Sequence, residues 1–247
     1  MALVPNLPIY APLVEVINGL NISFASSTTV GVSAGQATYS QLKNLIVLDS
    51  AVVINAAVNG ANGLDQGSLA NSTFYAVHVI ADSTGYNDTA AMLSTSATNP
   101  LLPAGYDMFR RVGSVLTSGA AAILDFTQRG NGNNRHMYYA AAIATDITAG
   151  ASTTFAAVNC SASVPVAGKE VYIKAVLTAD AGGLRNVALR DGGSSSAAGQ
   201  AIMSAPASTV MSGMLVCPCG ASGDIDYLVS NASASVALSV QGYLDAL

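Results

Sequence analysis

Apolar and polar residues alternate with a period of two through most of this chain. The clearest segment runs from Thr73 to Ile80, and its two faces are, in turn, Phe74, Ala76, His78 and Ile80, and Tyr75, Val77 and Val79. Residues 170–178 alternate in the same way. Side chains of a β-strand point alternately to its two faces, and β-branched and aromatic residues favour that setting. The pattern therefore predicts β-strands in both halves of the chain.

Further strands are predicted between turn signals such as Asn59-Gly60-Ala61-Asn62-Gly63, because Asn-Gly supplies the positive φ that tight turns need. They are residues 22–25, 30–32, 45–48, 52–54, 91–94, 109–116, 121–126, 135–145, 153–160, 185–191, 209–217, 225–229 and 235–244. Those at 45–48 and 52–54 are predicted to be buried on both faces. No amphipathic helix longer than two turns is evident, so the sequence predicts an all-β fold of antiparallel β-sandwich or jelly-roll-like domains.

The chain divides into an arm and two predicted domains. Residues 1–20 contain Pro5, Pro8 and Pro12, which favour extended backbone, and they are predicted to form an extended N-terminal arm. We expect this arm to dock on a neighbouring subunit; a frayed terminus is the alternative. Residues 21–147 and 153–247 are predicted to be two β-sandwich domains, joined by a linker at Thr148–Ser152, which is small and contains glycine.

The composition is unusually poor in charged residues, and this bears on whether the protein has partners. Charged residues make up 9% of the chain and hydrophobic residues 51%, whereas a typical soluble domain carries about 25% charged residues. A surface poor in charge is poorly protected against association, and protein interfaces are themselves depleted in charge. The sequence therefore favours a subunit whose surface is covered by partners. The alternative is a β-protein that is simply rich in small residues.

Two classes of partner are not expected. The net charge is −5 and the only local basic pair is Arg110-Arg111, so nothing supplies the group of cations that binding to nucleic-acid phosphates needs. The longest unbroken apolar run, Met137 to Ala144, is half alanine, and a spanning helix needs about 20 apolar residues. The N-terminus has no basic region of a signal peptide. The sequence predicts neither a nucleic-acid partner nor a membrane.

The candidate acid–base residues do not form a catalytic pattern. His78 alternates within an apolar strand, so we expect a core or interface histidine, and His136 follows a glycine-rich turn, so we expect it to be exposed. Asp224 and Asp226 lie two residues apart and share a strand face, and such paired carboxylates can do acid–base work. A turn followed by a polar strand edge explains them equally simply. The sequence predicts no catalytic residue.

The three cysteines, Cys160, Cys217 and Cys219, also predict no site. An odd count argues against a closed disulfide framework, and the proline between the last two makes a bridge between them difficult. A zinc site would need Cys-x2-4-Cys spacing with further ligands, which the chain lacks. Buried free thiols are expected, with no metal and no cofactor.

One long stretch is distinctive. It contains Asn71-Ser72-Thr73-Phe74-Tyr75-Ala76-Val77, Asp82-Ser83-Thr84-Gly85, Leu93-Ser94-Thr95-Ser96, Pro100-Leu101-Leu102-Pro103-Ala104-Gly105-Tyr106, Arg110-Arg111-Val112-Gly113-Ser114-Val115 and Phe126-Thr127-Gln128. This order resembles a β-module of tailed-bacteriophage virion proteins, especially fibre, appendage and head-decoration proteins. The resemblance covers residues 16–139, beginning with an entry strand at residues 16–24. It implies a structural protein of the virion rather than an enzyme.

The motif residues have physical roles consistent with a scaffold. Pro103 and Gly105 allow a sharp turn between strands. Arg110 and Arg111 point to opposite faces, so we expect one to reach water or a carboxylate while the other packs its stem against a neighbouring aromatic ring, Tyr106 or Phe109. Gly113 is expected to let a neighbouring backbone approach closely.

The expected function is therefore that of a non-enzymatic virion component, assembled in the cytoplasm of a host bacterium. A short tail or neck appendage is expected, and a capsid decoration or cement protein is the alternative within this class. A module that binds a host receptor or glycan is the alternative from another class. The partners expected are other virion proteins and further copies of the chain. A homotrimer is expected because fibre-type modules commonly trimerise, as the resemblance implies, with the Ala- and Ser-rich strand Ser233–Val240 at its axis.

Overall fold

The structure, a computed structural model, describes residues 15–39, 44–85, 87–141, 145–166, 168–220 and 223–247. It is all-β with no helix and 55% strand, arranged in several antiparallel sheets of sandwich-like character. Among the described residues no helix is long and apolar enough to cross a membrane. The strands are β1 (Ile17–Gly19), β2 (Ile22–Ser26), β3 (Thr29–Val32), β4 (Gly35–Thr38), β5 (Leu45–Leu48), β6 (Val52–Asn55), β7 (Phe74–Ala81), β8 (Ala90–Ser94), β9 (Met108–Leu116), β10 (Phe126–Asn131), β11 (Asn134–Tyr139), β12 (Thr145–Gly150), β13 (Ala156–Asn159), β14 (Gly168–Thr178), β15 (Arg185–Asp191), β16 (Ala201–Ala205), β17 (Val210–Pro218), β18 (Asp224–Val229) and β19 (Ser235–Ala246).

The first half of the chain forms three small sheets, in the orders β1-β4-β5, β2-β3-β6 and β8-β7-β9. β7, the clearest strand of the sequence, is the centre of the last sheet and is buried on both faces after its first residue. β9 lies beside it with one irregularity in register, between Val77 and His78. This sheet carries most of the motif that resembles the phage module.

The second half forms two larger sheets. The first has six strands, β10-β11-β19-β14-β17 with β12 also paired to β19, and the second has the order β13-β18-β15-β16. Alternate residues of β14 and β19, among them Ile173 and Leu238, are fully buried. They belong to the same hydrophobic cluster as Leu189 of β15 and Val229 of β18. The apolar residues that recur at every second position in the sequence thus form the inward face of each sheet.

The six-stranded sheet crosses the boundary that the sequence predicts between the two domains. β10 and β11 precede the predicted linker, yet β11 pairs with the C-terminal strand β19. The prediction of a linker was wrong for Thr148–Gly150, because these residues belong to β12. This strand pairs with β19, and Gly150 lies opposite Val236. A small glycine-containing segment suits a close approach to an adjacent strand as well as it suits a loop. The division into two domains stays a prediction.

Only part of the predicted arm lies within the described residues. Residues 1–14 are outside them. Ile17–Gly19 form β1, and Leu20 is fully buried, so the last residues of the predicted arm belong to the fold. The guanidinium of Arg135 donates to the carbonyl oxygens of Gly19 and Leu20 at 2.9 and 2.7 Å. A buried side chain from β11 therefore holds this segment in place.

Several predicted strands differ from the observed ones. Residues 45–48 have one exposed face, because Leu45 and Val47 alternate with buried neighbours in a strand at the edge of its sheet. Residues 121–126 form only an isolated bridge at Ile123 before β10 begins. The predicted strand 135–145 ends at Tyr139, and residues 142–144 lie outside the described residues. β4 and β16 were not predicted. β1 lies within the entry strand that the resemblance implies, and β10 and β12 overlap predicted strands by a single residue each.

The motif turn is confirmed and one motif role is corrected. The amide of Tyr106 donates to the carbonyl of Pro103 at 3.1 Å, and Gly105 has a φ of +86°, which L side chains rarely adopt. Gly113 does not face a neighbouring backbone. A Cβ there would lie 2.7 Å from Cδ1 of Ile22, so this glycine makes room for a side chain of β2.

Candidate interaction surface

The histidine of the strongest strand is a core residue. His78 is fully buried in β7. Its Nε2 donates to the carbonyl of Ser96 at 2.9 Å, and its ring meets Phe109 edge to face. Nδ1 has no hydrogen-bond partner among the described residues. Burial lowers the pKa of His78 to about 4, so the imidazole is neutral at neutral pH. The core position that the sequence predicts is confirmed.

The sequence analysis expects His136 to be exposed, and this is wrong. The side chain is half-buried in an aromatic row on the outer face of the six-stranded sheet. Its ring stacks on Tyr172, and the Tyr172 hydroxyl is hydrogen-bonded to its Nδ1. Tyr138 stacks on the other side of Tyr172, with ring centroids 5.1 Å apart. The rings meet over Gly242 of β19, which lies between Tyr138 and Tyr172 in the sheet and has no side chain. Such covering of a strand glycine by aromatic rings stabilises a sheet.

The paired aspartates are not a polar edge, because β18 lies inside its sheet between β13 and β15. Asp226 is buried and forms an ion pair with Arg190 at 2.8 Å. The same guanidinium lies 3.9 Å from the centre of the Phe155 ring. Asp224 is half-buried, and its Oδ1 has no hydrogen-bond partner among the described residues. Asp226 is thus engaged in an ion pair, and Asp224 is not part of it.

The cysteines are mostly buried. Cys160 and Cys217 are buried and Cys219 is half-buried. Burial raises the pKa of Cys217 to about 12, so its thiol remains protonated and a poor nucleophile. Across the described residues, no group of three or more His, Cys, Asp or Glu side chains could hold a metal ion.

Most arginines of the described chain are bound internally. The ion pairs are Arg110–Glu15, Arg111–Asp245, Arg185–Asp180 and Arg190–Asp226. Arg110 and Arg111 thus both reach carboxylates, and the expected packing of one stem against Tyr106 or Phe109 stays a prediction. Among the described residues this leaves Arg129, Lys169 and Lys174 as the cations outside these pairs and outside the buried site of Arg135.

The Arg111–Asp245 pair joins the first half of the chain to its last strand. Arg111 of β9 makes a bidentate contact with the fully buried carboxylate of Asp245, at 2.9–3.1 Å. It also donates to Ser114 Oγ and to the carbonyl of Ala246. Burial raises the pKa of Asp245, and the guanidinium of Arg111 opposes that shift. We call Arg111, Asp245 and the nearby buried Arg135 the ionic joint.

The opposite situation is found at β17, where apolar side chains are exposed. No charged residue occurs from Gly192 to Gly223, a segment that includes β16 and β17. β17 is the terminal strand of the six-stranded sheet. Its exposed residues include Val210, Met211, Met214 and Val216, whose exposed fractions are 61, 42, 53 and 48%. We call these four side chains and the unpaired side of β17 the apolar edge.

An exposed strand edge of this kind is unusual for a free protein. Unpaired N–H and C=O groups on an edge strand invite another strand, and natural proteins protect such edges with charges, prolines, bulges or covering loops. β17 has a proline only at its last residue, Pro218, and its register with β14 is regular over all nine pairs. No described strand other than β14 pairs with β17, although β16 of the second sheet packs close to it. The four side chains of the apolar edge nevertheless remain exposed.

A cavity of about 510 Å³ is a different kind of feature. Its lining is mainly apolar and comes from both halves of the chain, including Leu116, Tyr139 and Ser163. The Ser163 hydroxyl has no hydrogen-bond partner among the described residues, while the Tyr139 hydroxyl donates to the Ser163 carbonyl at 2.7 Å. Burial raises the pKa of Tyr139 well above its usual value, so this hydroxyl is a donor rather than a base.

Sequence reasoning singled out polar residues, and the structure places them in separate parts of the fold. His78, Asp226 and Cys217 lie in different sheets and are each held by their own surroundings. The apolar edge was missed as a site, although the absence of charge from residue 192 to residue 223 is visible in the sequence. That uncharged interval was the sequence signal from which an interaction surface could have been predicted.

No protein-family model matches this chain, and no curated protein matches it.

Proposed function

We propose that this chain is a non-enzymatic structural component of a bacteriophage particle, assembling as a homo-oligomer in a short tail or neck appendage. The observation that carries the proposal is the apolar edge, an uncovered strand in a segment without charge. The likeness of residues 16–139 to phage virion modules supports the particle as the setting. Further copies of the chain and other virion proteins are the proposed partners.

The distribution of charge supports assembly over catalysis. Most arginines bind carboxylates and carbonyl oxygens within the fold, so few cations remain on the described surface, and charged residues are only 9% of the chain. The histidine and aspartate candidates lie apart and are engaged in packing or in an ion pair. An assembly subunit needs extensive uncharged surface, and obligate interfaces resemble a hydrophobic core cut in half.

A trimer remains part of the proposal, but the strand suggested for its axis does not suit that role. Residues 235–240 of the suggested segment lie in β19, which pairs with β14 on one side and with β11 and β12 on the other. Val236, Leu238 and Val240 are fully buried within the subunit. The apolar edge is the better candidate for contact between copies.

Quantification of the chain in purified particles tests the proposal. We expect a fixed copy number per particle, a multiple of three for a trimer, and density at the tail or neck in an electron-microscopy map. Density spread over the capsid surface would identify a decoration or cement protein instead. Absence of the chain from intact particles would refute a structural role in the virion.

Receptor or glycan binding is a second candidate, favoured by the aromatic row. Tyr138 is half-buried and lines a shallow, open depression with Thr127 and Arg129, and a ring beside a cation suits a sugar or another polar ring. Tyr172, however, is only 3% exposed and covers Gly242. Glycan-array binding that is lost in Tyr138→Ala, with unchanged thermal stability, would support this candidate. The absence of any glycan binding would argue against this candidate and leave assembly as the one proposed role.

A further inference from the structure

We propose that the apolar edge is an acceptor for the N-terminal arm of a neighbouring copy, whose residues 6–14 add to β17 as a further strand. This inference deepens the oligomeric part of the proposed function, because it names the surface and the segment through which copies meet. It rests on that part alone and does not depend on which region of a particle holds the chain.

The acceptor is a nine-residue strand with one pairing side free. β17 runs from Val210 to Pro218 and pairs with β14 alone among the described strands. Strand addition to such an edge takes its affinity from main-chain hydrogen bonds and its specificity from alternate side chains. On β17, Met214 and Val216 lie on the outer face, in register with Lys174 and Tyr172 of β14. The added strand would therefore meet apolar side chains on that face.

The arm has matching length and chemistry. Residues 1–14 carry no charge, and residues 6–14, Asn6-Leu7-Pro8-Ile9-Tyr10-Ala11-Pro12-Leu13-Val14, are nine in number. Both alternating sets of side chains in this segment are mainly apolar, as are both sets in β17. The first charged residue of the chain is Glu15, which lies at the end of the segment and would not enter the paired region.

The proline spacing suits a terminal strand. In extended backbone, N–H groups of alternate residues point to opposite sides, so Pro8 and Pro12 lack donors on the same side. Leu7, Ile9, Ala11 and Leu13 would then direct their N–H groups to β17. Proline is tolerated in a strand when its missing donor faces away from the sheet. The two prolines would also block addition of a further strand, which closes the sheet and favours a finite assembly over a fibre.

The position of Glu15 favours a neighbouring copy over the same chain. The Asn133 side chain donates to the Glu15 carbonyl at 3.4 Å, and Asn133 lies three residues from His136, about 10 Å along β11. His136 and Pro218 lie at the same level of the sheet, because they are linked by register through β19 and β14. Three strand spacings separate them, which is about 14 Å across the sheet. Glu15 is therefore about 17 Å from the near end of β17. Val14 must lie within about 4 Å of Glu15, so the chain's own residues 6–14 cannot all pair with its own β17.

Sedimentation velocity of the full chain and three variants tests the pairing. We expect the wild type to form an oligomer at micromolar concentration. Deletion of residues 2–14, and separately Met214→Lys with Val216→Lys, should each give monomers, because one removes the added strand and the other places two charges beside it. The matched control is Val53→Lys with Val58→Lys, two valines about half exposed on another surface, and it should assemble as the wild type does.

A peptide experiment tests the direction of pairing. A fluorescent peptide of residues 1–14 should bind the protein that lacks residues 2–14, and the two lysines on β17 should weaken that binding at least tenfold. N-methylation at Ile9 should abolish binding, because that N–H is proposed to pair with β17. N-methylation at Tyr10 should be tolerated, because its N–H points outward with the prolines. Equal effects of the two methyl groups would overturn the assigned pairing.

The remaining outcomes are each decisive. Oligomers that survive the deletion but not the lysines would mean that two β17 edges pair directly, which overturns the arm as occupant. A monomeric wild type whose melting temperature falls on deletion would mean that the arm packs on its own chain. No peptide binding at all would overturn the proposal outright. Arm pairing without incorporation into particles would refute the virion role and leave this inference standing.

Discussion

The ionic joint and the apolar edge use polarity in opposite ways. At the joint, the Asp245 carboxylate and the Arg135 side chain are fully buried. At the edge, Met214 and Val216 are about half exposed, with no charge nearby in sequence. The usual distribution, with charge outside and apolar side chains inside, is reversed in both regions.

The ionic joint and the apolar edge differ in whether the groups that balance their buried charges or exposed apolar side chains belong to the same chain. At the joint, every compensating group belongs to the same chain: Arg111 and Asp245 are 134 residues apart in sequence and meet in bidentate contact. A buried ion pair of this kind is a weak source of net stability, but it selects one arrangement of strands because any other leaves a charge unpaired. At the edge, no described residue completes the surface. The joint therefore depends on contacts within the subunit, whereas the edge is the surface where we propose a contact with another subunit.

The largest effect is expected at the joint. Asp245→Asn leaves the Arg111 guanidinium buried without its counter-charge, and we expect a loss of about 3–5 kcal/mol in the free energy of unfolding. Chemical denaturation at neutral pH measures it. Replacing both partners, Arg111→Met with Asp245→Leu, should cost less than the single change, because the Arg111 charge is then removed together with its partner. The buried Arg135 keeps its carbonyl acceptors on Gly19 and Leu20.

A more exposed ion pair provides the control for the joint. Asp180 pairs with Arg185, and its carboxylate side chain is 27% exposed. Asp180→Asn should cost much less than Asp245→Asn, because exposed ion pairs are screened by water and contribute little. Equal losses for Asp180→Asn and Asp245→Asn would show that burial does not distinguish the two pairs and would remove the basis of the comparison.

The next effect is a pH dependence from His78. Its pKa is lowered from 6.5 to about 4 by burial, so between these values the unfolded chain binds a proton that the folded chain does not. Stability should be independent of His78 above pH 6.5 and should fall as the pH drops towards 4, by about 3 kcal/mol in total. Denaturation curves at neutral pH and near pH 4 measure this loss.

His78→Gln isolates the contribution of the imidazole. Glutamine keeps an N–H donor for the Ser96 carbonyl and does not titrate in this range. Other groups, Asp245 among them, titrate in both proteins, so the difference between wild type and variant belongs to His78. A variant that loses as much stability on acidification as the wild type would contradict the assignment.

A smaller loss is expected where β19 and β11 approach closely. A Cβ at Gly242 would lie 2.0 Å from the carbonyl oxygen of Met137, and the backbone must shift to accept it. We expect Gly242→Ala to cost about 1–3 kcal/mol, the usual range for overpacking, and to disturb the stacking of Tyr138 on Tyr172. Gly119→Ala is the control, because its nearest atom lies 4.0 Å away, and its melting temperature should match the wild type.

The smallest effect on folding is expected at the apolar edge. Met214→Lys with Val216→Lys changes two half-exposed side chains, so the free energy of unfolding of the monomer should change by about 0.5 kcal/mol or less for each substitution. The same variant is expected to lose assembly completely. A large loss of monomer stability would mean that these side chains belong to the subunit core, which would end the contrast with the joint.

Much of the fold could be predicted because strand formation is a local property. Residues 74–81, 108–116 and 168–178 alternate strongly and form β7, β9 and β14, close to the predicted bounds. β4 and β16 were missed because they are short and contain glycine, alanine or polar residues with little alternation. Their strand conformation comes from pairing with β5 and β15 rather than from their own sequence.

The candidate surface could be predicted only in part. The absence of charge from residue 192 to residue 223 is a sequence fact, but a run of this kind is equally consistent with a buried core. The structure places β17 at the end of its sheet, and that position turns the same residues into an exposed edge. His136 is a parallel case, since its burial depends on Tyr172, which lies 36 residues away.

By itself, the sequence determined that the chain is all-β, where most strands lie and which of their faces turn inward, because alternation and turn residues act over a few neighbouring positions. Tertiary structure decided that β10 and β11 join the C-terminal strand, that Arg111 meets Asp245, and that β17 is left at an edge. Those outcomes depend on pairing between segments distant in sequence. Many registers satisfy the same local pattern, and only packing of the whole chain selects one of them.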